Sequence, residues 1–157
     1  MITLVKGDLL KSKCNIICHQ VNCQGKMGAG IAKQIRQLYP KVYTEYIDFC
    51  NKNKKHLLGD CQFVDISDDI FRCVANIFGQ EYYGCGALYT DYDALRSSFN
   101  KVKDFCNHLL QYRNDISVGI PYNIGCGLAG GDWNIVIKII EDIFKDEEHI
   151  HIEIYKL

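Results

Sequence analysis

The chain has 157 residues, of which 48% are hydrophobic, and its 18 basic and 19 acidic side chains give a formal net charge of -1. This length and apolar content predict a single domain, residues 1–157, with one ordinary core. The balanced charge, without long runs of like charge, argues against bulk attraction to nucleic acid or to an anionic membrane, although it is compatible with a local phosphate pocket.

The first half of the chain is predicted to alternate strands and helices. Residues 2–6 (ITLVK) and 15–21 (NIICHQV) have the pattern of buried strands, and residues 28–40 that of a helix ended by Pro40. Residues 41–53 continue as a second helical segment. The opening MITLVKGD shows neither a basic leader nor an apolar signal segment, so we expect a cytoplasmic protein.

The second half is predicted to contain four strands and two helices, the first of them long and amphipathic. The strands are residues 61–66, 71–78, 116–122 and 149–157, and the helices are residues 91–112 and 133–144. A turn is predicted at residues 67–69, SDD. About six strands and three or four helices in this order favour an α/β sandwich with a mixed sheet.

The nine cysteines are interpreted as free thiols rather than as a disulfide framework, because their number is odd and no export signal is present. The segment with Cys14, Cys18, His19 and Cys23 contains no CxxC pair, and neighbouring strand residues face opposite sides, so no metal site is predicted. Five cysteines lie within apolar patterns typical of a core: Cys18, Cys50, Cys61, Cys73 and Cys106.

Two glycine-rich loops each follow a strand and precede a helix, at residues 21–30 (VNCQGKMGAG) and 123–131 (NIGCGLAGG). At such a junction unpaired N–H groups and the positive end of the helix dipole favour an anion, and the missing side chains let a phosphate come close. Two loops indicate two phosphates or a pyrophosphate. The alternative is that both are simply tight connections.

Known phosphate motifs narrow this interpretation. Neither loop fits the GxxxxGK[ST] pattern of nucleotide hydrolases. Gly125, Gly127 and Gly130 satisfy GxGxxG, but too little chain follows Gly130 to complete a dinucleotide-binding half, and Glu153 is a weak candidate for the ribose acid. A nicotinamide-dependent dehydrogenase is therefore disfavoured, and no cofactor is predicted.

Five segments in order, VKGDLL, HQVNCQGKMGAGIA, ANIFGQ, IPYNIGCGLAGGDW and IEIYKL, resemble the macrodomain family over residues 5–157. They are most similar to the branch with the terminal ADP-ribose protein glycohydrolases and the ADP-ribose-1″-phosphate phosphatases. The resemblance implies a three-layer α/β/α sandwich with a mixed six-stranded sheet, and a cleft for ADP-ribose.

The resemblance also implies ligand-binding residues. Asp8 would contact the adenine amino group and Tyr155 would border the adenine ring, although a plain turn and a core tyrosine are the open alternatives. Asn22 would hold the distal ribose with its amide, and Cys126 is expected to be a wall residue rather than a nucleophile. The diphosphate would lie between the backbones of Gly28, Ala29, Gly30 and Ile31 and of Ile124, Gly125, Cys126, Gly127 and Leu128, and the second of these loops would also wrap the distal ribose.

The catalytic residues of the glycohydrolase members are not matched. The resemblance implies a lysine after the strand that ends NIFGQ and an aspartate next to the second glycine loop, where this chain has Gln80 and Ala129. Residues 56–100 contain no lysine. A covalent lysine mechanism is therefore disfavoured.

Four other residues are candidates for catalysis: His19, Asn22, Gln80 and Asp132. His19 matches a histidine of phosphatase-type relatives and suits a general base or nucleophile, unless it is packed beneath the loop. Asp132 is either an acid near the distal ribose or the N-cap of the next helix. Gln80 can orient a water or a ribose hydroxyl.

Three functions follow as hypotheses. The first is an ADP-ribose-binding hydrolase that removes a group at the distal ribose: a 1″-phosphate, an acyl ester or an ester-linked ADP-ribosyl protein. The second is a non-catalytic reader of ADP-ribose, and the third is a nucleic-acid or dinucleotide-binding protein. We expect a monomer that binds ADP-ribose or an ADP-ribosylated protein or metabolite, with residues 81–92 as a mobile aromatic flap over the distal ribose.

Overall fold

A computed structural model of the protein describes residues 2–67 and 70–157. These residues form six strands, four α-helices and one short 3-10 helix at Leu9–Lys11. The strands are β1 (Ile2–Lys6), β2 (Ile16–Asn22), β3 (Cys61–Asp65), β4 (Cys73–Gln80), β5 (Ile116–Pro121) and β6 (Ile150–Lys156). The helices are α1 (Gly30–Leu38), α2 (Pro40–Lys52), α3 (Tyr92–Leu109) and α4 (Trp133–Phe144).

The strands form one sheet in the order β1-β6-β5-β2-β4-β3. All neighbours are parallel except β3, which runs antiparallel to β4. The mixed six-stranded α/β sheet predicted from the sequence is therefore confirmed. Because β2, β4 and β5 are mutually parallel, their carboxyl ends and the loops that follow them meet at one edge of the sheet.

A separate apolar core lies on each face of the sheet. Alternate residues of β2 illustrate this, since Ile16 and Cys18 belong to the core beneath α3 and α4. Ile17 and Val21 belong to the core beneath α1 and α2. Burial on both faces explains why the central strands read as continuous apolar runs, and it gives the predicted three layers.

Several predicted boundaries differ from the structure by one to three residues. Pro40 does not simply end the first helix: α1 stops at Leu38, and Pro40 occupies the first turn of α2, where its missing N–H costs nothing and its fixed φ suits a helix. The strand predicted to end at Phe78 extends to Gln80. The turn predicted at residues 67–69 includes positions 68 and 69, which lie outside the described residues.

The predicted core cysteines are confirmed by their burial, while Cys85 is exposed. Across residues 2–67 and 70–157, no three metal-ligating side chains gather into a group. No helix within the same described ranges has the length and apolarity needed to cross a membrane.

Candidate functional site

A cleft of about 740 Å³ opens at the carboxyl edge of the sheet, within the usual size range of small-molecule sites. Both glycine-rich loops line it, together with the ends of β2 and β4 and residues 83–85 of the segment that follows β4. The structure thus brings the two loops together as opposite walls of one site, which the sequence analysis predicted.

The first wall is the N-terminus of α1, with residues 28–32 lining the cleft. The N-cap residue, Ala29, makes no side-chain hydrogen bond to the helix, so the first N–H groups of α1 have no capping acceptor. A Cβ added at Gly28 or Gly30 would meet no heavy atom within 4 Å, and Gly30 has a φ of +57°. Bare backbone and uncapped N–H groups are the features of an anion site at a helix N-terminus.

The second wall is the loop after β5. Its internal hydrogen bonds use the N–H groups of Ile124, Cys126, Gly130 and Gly131. Within the described part of the chain, the N–H groups of Gly125, Gly127 and Leu128 find no acceptor, and all three residues line the cleft. The loop is therefore held by its own turns, while donors that include these three remain for a ligand.

The charged side chains at the cleft are basic. Lys26 and Arg36 belong to its lining, and no carboxylate belongs to the described lining residues. The Arg36 guanidinium carbon lies 3.7 Å from the centre of the Tyr43 ring, a stacking contact that restrains the guanidinium at the rim. The cleft therefore favours an anionic ligand.

Asn22 lines the cleft but already makes several hydrogen bonds of its own. Its Oδ1 accepts from the Gln24 N–H at 2.9 Å and from the Tyr46 hydroxyl at 3.0 Å. Its Nδ2 donates to the Lys26 carbonyl at 2.9 Å. The acceptor atom is thus occupied and one amide hydrogen remains. Asn22 can donate to a ribose hydroxyl, but it is not free to accept from a second one.

Gln80 also lines the cleft, and Gln20 and Thr90 hold it in place. Gln80 Oε1 accepts from Gln20 Nε2 at 2.8 Å, and its own Nε2 donates to the Tyr82 carbonyl at 2.8 Å. Gln20 Nε2 also donates to Thr90 Oγ1 at 2.9 Å. Gln20 and Thr90 were not among the residues predicted from the sequence. The usable signal was the strand alternation of β2, which turns Gln20 to the opposite face from His19.

His19 is not part of the cleft, which corrects its prediction as a base or nucleophile. It is fully buried, and its Nε2 lies 2.6 Å from Asn76 Oδ1, while Asn76 Nδ2 donates to Gln62 Oε1. Burial lowers the pKa of His19 to about 4, so the ring is neutral at physiological pH and donates from Nε2. The structure matches the packed histidine that was the alternative interpretation.

Asp132 is exposed and lies outside the described lining of the cleft. Its carboxylate accepts from the Asn134 N–H at 2.9 Å, which makes it the N-cap of α4. Its own N–H donates to the Tyr92 hydroxyl at 2.9 Å. The capping interpretation accounts for these contacts, and the structure does not bring the carboxylate to the site as an acid.

Asp8 and Tyr155 lie at the same edge of the sheet, outside the described lining of the cleft. Asp8 Oδ1 accepts from the Leu10 N–H at 2.9 Å and caps the 3-10 helix. The Tyr155 hydroxyl donates to Glu153 Oε1 at 2.7 Å. Their adenine contacts stay predictions.

Cys126 sits between two glycines that line the cleft, and its Sγ lies 3.3 Å from the Ile124 carbonyl. Burial raises the pKa of its thiol to about 11. The thiol therefore stays protonated near neutral pH and is not an activated nucleophile. Cys126 itself is not among the described residues that line the cleft, and its place in the wall stays a prediction.

The segment at residues 81–92 forms part of the cleft wall through Tyr83, Gly84 and Cys85. It is tied to the second loop, because the Tyr89 N–H donates to the Ala129 carbonyl at 2.7 Å. The segment thus borders the cleft, and its mobility stays a prediction.

Comparison with known families adds independent information. The sequence model of the family described as Macro domain matches residues 18–140, which is more than half of the chain. The match spans β2 to α4 and so includes both glycine-rich loops.

Named relatives cover nearly the whole chain. An ADP-ribose 1″-phosphate phosphatase of Saccharomyces cerevisiae is 29% identical over 92% of this chain and 94% of its own length. A DNA ADP-ribosyl glycohydrolase of Mycobacterium tuberculosis is 28% identical over 99% of this chain, which spans 42% of that relative. The solved macrodomain of Mycobacterium tuberculosis DarG superposes with a TM-score of 0.80 at 28% identity, covering 100% of this chain and 98% of that one.

Proposed function

The chain belongs to the macro domain family, and from this premise we propose that it binds ADP-ribose and hydrolyses a group attached to the distal ribose. Two similar proteins are named as hydrolases, an ADP-ribose 1″-phosphate phosphatase and a DNA ADP-ribosyl glycohydrolase. For this chain the candidate substrates are ADP-ribose-1″-phosphate, an O-acyl-ADP-ribose and an ester-linked ADP-ribosyl protein.

The observation that carries the proposal is the pair of facing loops with unused N–H groups. The N-terminus of α1 offers uncapped donors from one side, and Gly125, Gly127 and Leu128 offer donors from the other. A diphosphate has oxygens on both sides of its bridging atom, so it can accept from both walls at once. The two cations and the missing carboxylates among the described lining residues support an anion in this place.

The distal ribose would then lie beside Asn22 and Gln80, since both side chains line the cleft where the two loops approach the ends of β2 and β4. The remaining hydrogen of the Asn22 amide would donate to a ribose hydroxyl. Gln80, restrained by Gln20 and the Tyr82 carbonyl, would position the attacking water or the leaving group. Adenine would extend toward the edge of the sheet where Asp8 and Tyr155 lie.

For the 1″-phosphate, water adds to phosphorus, the bond to the ribose oxygen breaks, and the products are ADP-ribose and inorganic phosphate. The lining side chains of the described cleft include no carboxylate or imidazole to accept the water's proton. We therefore expect catalysis to rest on positioning and on N–H groups that stabilise the developing charge, with slow turnover.

The experiment is a hydrolysis panel of the three substrates at high enzyme concentration, with wild type, Asn22→Ala and Gln80→Ala. We expect turnover of at least one substrate, weaker binding in Asn22→Ala, and slower turnover with retained ADP-ribose binding in Gln80→Ala. No turnover of any substrate by the wild type would overturn the catalytic part of the proposal.

The second candidate is a non-catalytic reader of ADP-ribose. The specific observation in its favour is the same shortage of acid-base side chains in the described lining of the cleft. Measurable ADP-ribose affinity without turnover in the panel would select this function. Binding of RNA or NAD without ADP-ribose would select the third hypothesis, a nucleic-acid or dinucleotide-binding protein.

We also propose that residues 1–157 act as one domain, as a monomer and in the cytoplasm. One domain is supported by the pairing of Ile2–Lys6 with Ile152–Lys156, which joins the first and last strands in one sheet. Nine free cysteines suit a reducing compartment. Sedimentation analysis tests the monomer, and fractionation of the producing cells tests the compartment.

A further inference from the structure

The hydroxyl of Thr90 lies at the junction of three parts of the cleft wall. Its Oγ1 accepts from Gln20 Nε2 at 2.9 Å and donates to the Gly125 carbonyl at 2.6 Å. Gln20 belongs to β2, Gly125 to the second glycine loop, and Thr90 to the segment after β4. Thr90 is 4% exposed and is not among the described residues that line the cleft, so any effect on a ligand passes through its partners.

The direction of these hydrogen bonds is fixed by their neighbours. A carbonyl can only accept, so the single hydroxyl hydrogen of Thr90 goes to Gly125 and its oxygen needs a donor from Gln20. The other hydrogen of the Gln20 amide goes to Gln80 Oε1, whose own Nε2 faces the Tyr82 carbonyl. Turning either amide over would set oxygen against oxygen.

The same orientation leaves Gln20 Oε1 buried without a hydrogen-bond partner in the described structure. A Cβ added to Gly125 would lie 2.8 Å from this oxygen and 3.0 Å from Thr90 Oγ1, and Gly125 has a φ of +72°. The glycine and the polar cluster therefore fit each other closely. A side chain at position 125 would collide with this cluster, and the Gly125 carbonyl is held by Thr90.

We propose that Gln20, Thr90 and the Gly125 carbonyl form a latch that fixes the wall of the cleft around the distal ribose. In this role Thr90 and Gln20 are positioning residues: they hold the Gly125 carbonyl and the amide of Gln80 in the arrangement that the distal ribose meets. The inference rests on the proposed function, because it names what shapes the distal half of the same site.

The test compares ADP-ribose with ADP, which lacks the distal ribose and carries one more ionisable oxygen on its terminal phosphate; this charge difference is the same for every variant. The dissociation constant of ADP divided by that of ADP-ribose measures what the distal ribose adds to affinity. Thr90→Val removes the hydroxyl at nearly constant volume, and we expect it to lower this ratio about tenfold, together with kcat on any substrate the wild type turns over. Thr90→Ser keeps the hydroxyl, and we expect a ratio within threefold of the wild type.

Gln20→Leu removes the amide from the other side of the latch and is expected to reproduce the effect of Thr90→Val. The double variant is expected to be little worse than either single variant, since both remove the same hydrogen-bond chain. The matched control is Ser98→Ala, which removes another buried hydroxyl, one that donates to the Asp60 carbonyl at 2.7 Å. It is expected to lower Tm without changing the ratio.

The outcomes distinguish failure of the latch from failure of the proposed ADP-ribose binding. If Thr90→Val leaves the ratio unchanged, because it weakens the binding of both ligands equally as a plain stability defect would, the latch is overturned while ADP-ribose binding stands. If the wild type does not bind ADP-ribose at all, the proposed function fails, and the latch fails with it.

Discussion

The hydroxyl of Tyr46 lies 2.6 Å from the main-chain oxygen of Asn22 and 3.0 Å from its side-chain oxygen. Tyr46 comes from α2 and is fully buried, so a core side chain reaches beneath the first glycine loop and holds the residue that ends β2. Burial also raises the pKa of Tyr46, so the hydroxyl remains a donor at any pH at which the protein is used. Asn22 is thereby oriented from within the core.

Tyr46→Phe removes this hydroxyl and nothing else. We expect a loss of about 1–2 kcal/mol in the free energy of unfolding, because the Asn22 oxygens lose the single hydroxyl hydrogen that they share. We also expect ADP-ribose to bind roughly threefold to tenfold more weakly, because the Asn22 amide loses a restraint. Urea unfolding and calorimetric titration measure the two effects, with Tyr112→Phe as the control at a 77% exposed tyrosine. Lower stability with unchanged ADP-ribose affinity would show that Tyr46 does not orient Asn22 for the ligand.

Gly127 and Gly130 are three residues apart, and alanine should affect a different property at each: ligand affinity at Gly127 and folding stability at Gly130. A Cβ at Gly127 would meet nothing within 4 Å, and Gly127 lines the cleft. We expect Gly127→Ala to change the free energy of unfolding by less than about 0.5 kcal/mol. ADP-ribose affinity should nonetheless fall about tenfold, because the added methyl group would project into the cleft and clash with the bound ligand.

Gly130 has a φ of +76°, and a Cβ there would lie 2.5 Å from the Ala87 carbonyl oxygen. Gly130→Ala is expected to cost about 1–3 kcal/mol of folding free energy, since backbone must shift to accept it. Thermal unfolding and titration of the two variants side by side test the pair. An unstable Gly127→Ala, or one that binds ADP-ribose normally, would show that the loop does not face the ligand as described.

The buried imidazole of His19 makes stability depend on pH. Its pKa is about 4 in the folded protein, against about 6.5 for an unperturbed histidine. Below pH 6.5 the unfolded chain binds a proton that the folded chain does not, so the free energy of unfolding falls as pH drops from about 6.5 to 4. Between pH 7.5 and pH 5 this histidine is expected to account for a loss of about 2 kcal/mol.

The measurement is urea unfolding of wild type and His19→Gln at both pH values. Glutamine keeps an amide donor toward Asn76 but has no proton to gain, so titrating carboxylates cancel in the comparison. The wild type is expected to lose about 2 kcal/mol more than the variant. An identical change in the free energy of unfolding with pH in both proteins would mean that His19 is not held neutral by burial.

Asp132 can be tested as a cap separately from its earlier interpretation as an acid. Asp132→Ser retains a capping oxygen for the Asn134 N–H, whereas Asp132→Ala does not. We expect Asp132→Ala to lose about 1 kcal/mol of stability and Asp132→Ser to lose less. Both should keep hydrolysis rates within about threefold of the wild type. Hydrolysis that is a hundredfold slower in Asp132→Ser would restore the interpretation of Asp132 as a catalytic acid.

Most of the fold was predictable from the sequence, because strand and helix periods are local properties of the chain. The helix at residues 133–144 was predicted with its observed bounds, and the two glycine loops were correctly expected to face each other. Parallel strands place their carboxyl ends at one edge, which is enough to bring Gly28 and Gly127 to the same cleft.

The roles of polar side chains were harder to predict, because they depend on which face of a strand each residue occupies. His19 and Gln20 are neighbours on β2, yet only Gln20 reaches the cleft. The sequence shows two polar residues there without showing which one faces the core. Thr90 could not be predicted for another reason. Its partners, Gln20 and Gly125, are distant in the chain, and only the assembled sheet brings them together.

Calorimetric titration of the wild type with ADP-ribose tests whether the two glycine loops hold the diphosphate. We expect saturable binding of one ADP-ribose per chain, lost or at least tenfold weaker in Gly127→Ala. A wild-type protein that gives no binding heat and no shift in Tm at millimolar ADP-ribose would contradict it.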